Sequence, residues 1–99
     1  MKFNHRKDVD RLFEAILTLK DIHECYAFFE DICTAKELNE IAQRFEVAEY
    51  LNDGKSYNEI NLKTGASTAT ICRVKKCLFN GSDGYLLALN RLSNQEVSL

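Results

Sequence analysis

Between Lys55 and Lys76 the chain sets five cations, Lys55, Lys63, Arg73, Lys75 and Lys76, against one carboxylate, Glu59. Among the last of them stand small and hydroxylic residues: Ser67, Thr68, Ala69, Thr70 and Cys72. Cations gathered in one segment suit a polyanion, because each Lys or Arg that meets a phosphate releases a condensed counterion. Small side chains between them would let a helix sink into a major groove about 12 Å wide, where Arg and Lys reach guanine edges or phosphates. The whole chain carries a formal net charge of −2, but unevenly. Residues 1–53 hold seven Lys/Arg against twelve Asp/Glu, residues 54–81 five against Glu59 alone, and the tail Arg91 against Asp83 and Glu96. The resulting −5, +4 and −1 put the positive charge in one short stretch of an acidic body. That distribution is compatible with DNA binding, although charge alone also describes an ordinary solvated face.

Other chemistry finds less support. Cys25 and Cys33 are eight apart, and Cys72 and Cys77 five apart, so neither pair makes the C-x₂₋₄-C clip of structural zinc. No metal site is expected, and the thiols read as reduced, small hydrophobes on helices. A catalytic reading would have to use Lys36, Arg44 and Arg73 as a carboxylate clamp, yet no acid, base and nucleophile stand at workable spacing. The chain is therefore not expected to be an enzyme. It has no run of about 18 apolar residues, and its start, MKFNHRKDVD, is charged and lacks a signal-peptide core, so a cytoplasmic protein is expected.

The elements that must carry these residues are helical throughout. There is no proline, all four glycines lie beyond residue 53, and apolar residues recur at intervals of three and four. At 99 residues and 45% hydrophobic content the chain fits one domain, 1–99, with a core small enough to gain from a second copy. The spacing predicts a first helix over Asp8–Leu19, with Val9, Leu12, Phe13 and Ile16 on one stripe. A second, capped by Asp21, runs to Cys33 with Ile22, Cys25, Phe28, Phe29 and Ile32 inward. Thr34-Ala-Lys-Glu37 reads as a capping box opening a third helix, which carries Leu38, Ile41, Ala42, Phe45, Ala48 and Leu51 and stops at Asn52-Asp53-Gly54. A last helix is expected over Asp83–Leu92 behind a Ser82 cap, apolar nearly all round and suited to burial against another subunit, followed by a frayed tail, Ser93–Leu99.

Between them, Ser56 to Leu78 reads as a helix-turn-helix. Ser56-Tyr-Asn-Glu59 is a second capping box, Thr64-Gly65-Ala66 is a short turn containing Gly, and Ser67 or Thr68 caps the following helix. At 100° per residue, Ile71, Val74 and Leu78 cluster on one side to meet Ile60, which leaves Ala69, Cys72, Arg73 and Lys76 pointing away. Thr68, Ala69 and Cys72, near the start of the helix, are the candidate base readers. Lys55, Lys63, Lys75 and the N–H groups around Ser67 are candidate backbone anchors, with Thr70 beside them. Asn61 occupies a place under the second helix where a small residue is usual, so its amide must find a partner or tilt the pair.

Thr34-Ala-Lys-Glu-Leu through Arg44, then Gly65-Ala-Ser-Thr-Ala-Thr-Ile-Cys-Arg73, resemble the Trp repressor superfamily, and more closely its YerC/YecD-like branch, over nearly the whole chain. The resemblance implies a six-helix, Trp-repressor-like, intertwined homodimer. Its first, second, third and sixth helices, about 8–52 and 83–92, would form the shared core, with the helix-turn-helix at about 56–78 as reading head. It also implies that Ala69 and Cys72 contact bases. The founding member is switched by free tryptophan between the third and fifth helices, and Thr34, Arg44 and Arg73 match the residues that hold it. Val74, however, stands where ligand-responsive members have glycine, and its isopropyl group would fill the space of the aromatic ring. No cofactor is required on this reading; a small-molecule corepressor stays open, and tryptophan is disfavoured. The function expected is a homodimeric transcriptional regulator, a repressor by resemblance, on a double-stranded operator with half-sites about 34 Å apart. The competing reading is a helical, dimeric protein-interaction module that does not bind DNA.

Overall fold

The computed structural model describes residues 4–97, the side chains of 4–96 among them. Six α-helices follow one another: α1 Lys7–Ile16, α2 Ile22–Ile32, α3 Ala35–Asn52, α4 Tyr57–Thr64, α5 Thr68–Asn80 and α6 Gly84–Val97. No strand occurs among the described residues, so the all-α expectation holds. The chain divides into two compact units at Asn39–Glu40, within α3.

In the first unit, α1 is shorter than its sequence pattern. It ends at Ile16 rather than Leu19, because Thr18 and Leu19 tighten into bonds to the carbonyls of Ala15 and Ile16. Asp21 caps α2, accepting from Glu24 N–H at 2.9 Å, and Cys33 closes it. Neither α1 nor α2 buries a single residue. Phe13, Ile22 and Ile32, expected to face inward, are respectively 55%, 72% and 53% exposed within one chain, and Leu17 and Tyr26 stand open with them. At the head of α3 the Thr34 box forms in both directions: Glu37 N–H donates to Thr34 Oγ1 at 3.1 Å, and Thr34 N–H to Glu37 Oε1 at 2.8 Å. The Thr34 N–H bond, with the Thr34 side chain adding to it, holds the Glu37 carboxyl below its ordinary pKa.

The second unit holds a closed core. Val47, Ala48 and Leu51 of α3, Ile60 of α4, Ala66 of the turn, Ile71, Val74 and Leu78 of α5, and Leu89 of α6 are buried together. Phe45, Tyr50, Tyr57, Tyr85 and Leu86 pack on its rim. Full burial of a residue such as Ile60 or Ile71 contributes about 2 kcal/mol each. Val47 lies off the stripe that the sequence pattern predicts, yet it is fully buried, and half-buried Phe45 sits beside it on the rim. Gly54, with φ +79°, ends α3 by the left-handed turn its missing side chain permits.

The last helix differs from expectation at both ends. Its cap position is Asp83, at φ +65° with its carbonyl accepting from Leu87 N–H, not Ser82. Rather than fraying after Leu92, α6 continues to Val97; Ser98 and Leu99 of the expected tail lie outside the described residues. Leu89 takes the helix into the core, whereas Leu87 and Leu92 remain open. Asn90, Asn94 and Gln95, polar but unbranched at Cβ, do not interrupt it.

Candidate nucleic-acid interface

An eight-residue helix is too short to persist in water on its own, so α4 depends on its ends and on packing. Ser56 provides the start: its Oγ accepts from Glu59 N–H at 3.2 Å, while Glu59 Oε1 accepts from Ser56 N–H. Gly65, at φ +73°, provides the stop, its N–H reaching the Asn61 carbonyl at 2.9 Å. Four further bonds fix the turn. Thr64 Oγ1 donates to the Ile60 carbonyl at 2.7 Å and accepts from Ala66 N–H at 3.1 Å. Gln43 of α3 donates to the Thr64 carbonyl at 3.1 Å. The fourth belongs to Asn61, whose Nδ2 donates to the Ala66 carbonyl at 2.8 Å. The amide therefore finds its partner in a turn carbonyl.

Ser67, not Thr68, caps α5, accepting from Thr70 N–H at 3.2 Å, and its hydroxyl also bonds Thr70 Oγ1 at 3.1 Å. Ile71, Val74 and Leu78 then turn inward, each at most 2% exposed. The opposite face carries Ala69, Cys72, Arg73 and Lys76, with Thr68 and Lys75 on its flank, all exposed. Helical spacing alone thus separates core from open face. Lys55 is exposed just before α4, and Lys63 is exposed in its last turn. Among the described residues the ion pairs lie elsewhere, at His5–Asp10, Arg6–Asp8, Arg11–Glu14 and Arg44–Glu40, so no carboxylate neutralises this cationic surface.

Two of these cations are steered by aromatic rings. Lys63 Nζ stands 5.8 Å from the ring centre of Tyr50, and Lys75 Nζ 5.6 Å from that of Tyr57. The Cys72 thiol points at the Tyr57 hydroxyl, 3.8 Å away. The Cys72 sulfur beside it, ahead of burial, raises the phenol's pKa. Sequence reading misses Tyr57, because one tyrosine at the start of a helix carries no periodic signal.

Of the residues matched to ligand binding, Thr34 serves as the α3 cap, and Arg44 lies 4.0 Å from Glu40 one turn earlier on the same helix. Val74 is 2% exposed inside the core. Burial raises the Tyr85 phenol's pKa, with the Cys77 thiol adding to the shift and Arg44 opposing it. All four cysteines are free thiols. Among the described residues no group of His, Cys, Asp and Glu could hold a metal ion, and no helix is long and apolar enough to cross a membrane.

Known proteins share this arrangement. Residues 7–93 match the family model described as Trp repressor protein. Bacillus subtilis (strain 168) has a relative, named Uncharacterized protein YerC, that is 53% identical over 91 residues, 92% of this chain and 88% of the relative. A crystal structure of a TrpR-like protein from Eubacterium eligens ATCC 27750 superposes with a TM-score of 0.87 at 51% identity, covering 89% of this chain and 91% of that one. A second solved structure, from Staphylococcus aureus, gives 0.87 at 45% identity over 90% of this chain and 89% of its own. With its capped bihelical unit, buried α5 stripe and these likenesses, the chain belongs to the Trp repressor family, in its YerC-like branch.

Proposed function

We propose that this protein is a homodimeric, sequence-specific DNA-binding transcriptional regulator, a repressor and not an enzyme, which lays α5 in the major groove of a two-half-site operator. The observation that carries the reading is the open face of α5: Ala69, Cys72, Arg73 and Lys76 stand exposed opposite a fully buried stripe, with no carboxylate among the described residues paired to the cations. Thr68, Ala69 and Cys72 are the base readers, and Arg73 and Lys76 reach bases or phosphates. Lys55, Lys63, Lys75 and the N–H groups around Ser67, with Thr70 beside them, hold the backbone. A cytoplasmic setting, with the thiols reduced, agrees with this role.

The uncovered apolar side chains of the first unit support the dimer. A chain that exposes Phe13, Leu17, Ile22, Tyr26 and Ile32 together has an unfilled interface. No corepressor is required. Val74 already occupies the core beside Ile60 and Ile71, so the reading head is packed by its own residues, which disfavours tryptophan as a ligand of Thr34, Arg44 and Arg73. An electrophoretic mobility shift on genomic fragments, repeated across a salt series with and without tryptophan, tests the whole reading. Binding should fall steeply with salt, since several phosphates are neutralised, and tryptophan should leave it unchanged. Salt-insensitive or absent binding would point instead to a protein-interaction module.

A further inference from the structure

Tyr57 is the first residue of α4, yet its side chain engages two residues of α5 at once. Its hydroxyl receives the Cys72 thiol at 3.8 Å, and its ring lies 5.6 Å from Lys75 Nζ. Cys72 and Lys75 are three apart, hence neighbours on the helix surface, and both are exposed on the proposed DNA face. We infer that Tyr57 is a further residue of the DNA interface, aiming Lys75 and Cys72 at the duplex and donating its own O–H to an acceptor there. The inference rests on the DNA-binding reading above.

The chemistry of each contact leaves that donor unused. A thiol donating to a phenol occupies one acceptor lone pair of the oxygen, and the phenol keeps its proton. Tyrosine hydroxyls are regular donors to phosphate oxygens, and a base-edge acceptor near Cys72 presents the same chemistry. The ring meanwhile restrains a lysine stem that would otherwise be free to rotate, so the ammonium loses less freedom when it meets a phosphate.

The test uses the full-length protein as wild type, Tyr57→Phe and Tyr57→Leu, on a selected genomic fragment and on a scrambled duplex, across a salt series with melting curves alongside. Tyr57→Phe keeps the ring. It should melt like wild type but bind the selected fragment about fivefold more weakly, the worth of one hydrogen bond. An equal loss on the scrambled duplex identifies the acceptor as a phosphate oxygen, and a loss confined to the selected fragment identifies a base edge. Tyr57→Leu should also lower the salt slope by about one, as the Lys75 contact is lost. A Tyr57→Phe protein indistinguishable from wild type on both duplexes overturns the inference while leaving the DNA-binding reading standing. A wild type that binds no duplex overturns both.

Discussion

Arg73 and Ala69 share the open face of α5 but would act through different terms. A guanidinium on the backbone is blind to sequence, so Arg73→Ala should weaken binding to every duplex and lower its salt slope by about one. Ala69→Leu adds bulk where the helix meets base edges, and should disturb the preferred site far more than affinity for scrambled DNA. Competition titrations of both variants check this, and equal effects on every sequence would remove Ala69 from the bases. Which α5 side chains face out was legible from spacing alone, because the buried stripe of Ile71, Val74 and Leu78 leaves them no other direction. The partners of Asn61 and Tyr57 were not. Each depends on where a distant group ends up: the Ala66 carbonyl is turned by Gly65, and the Cys72 sulfur belongs to another helix.

At the scale of elements, the helix starts were the most readable feature, since a capping box is a local pattern of four residues. Thr34→Ala should cost about 1 kcal/mol of stability in denaturant unfolding. The box also predicts an acid dependence. The folded state lowers the Glu37 pKa, so its contribution is fully present above the ordinary value of 4.5 and is lost as pH falls through the lower, folded value. Glu37→Gln should therefore unfold more easily than wild type near neutrality, and the difference should vanish in strong acid. Gly65→Ala should cost about 1 kcal/mol through its positive φ alone, because a methyl group there meets nothing within 4 Å. At Gly81 the reason is steric: a Cβ would run into the carbonyl of Cys77. Helix ends were harder to read. The extra reach of α6 to Val97 has no stop signal to mark it, and α1 closes early through local carbonyl bonds that no residue type announces.

For the whole molecule, the all-helical class followed from composition and period, whereas the uneven burial of the two units did not. Periodicity finds an apolar stripe but says nothing of whether the same chain covers it. The stripe of α5 is closed by α3, α4 and α6, while no apolar residue of α1 or α2 is buried and several stay open. If a second copy covers them, sedimentation should give twice the 11.4 kDa chain mass, and the melting temperature should rise with protein concentration. A concentration-independent melt at monomer mass would remove the dimer. The exposure of Cys72 carries a practical corollary. A maleimide label on that sulfur should be excluded once an operator is bound, giving a footprint read from the protein side. For the same reason, purification without reductant risks capping the helix face with a bulky adduct and mistaking a blocked regulator for an inert one.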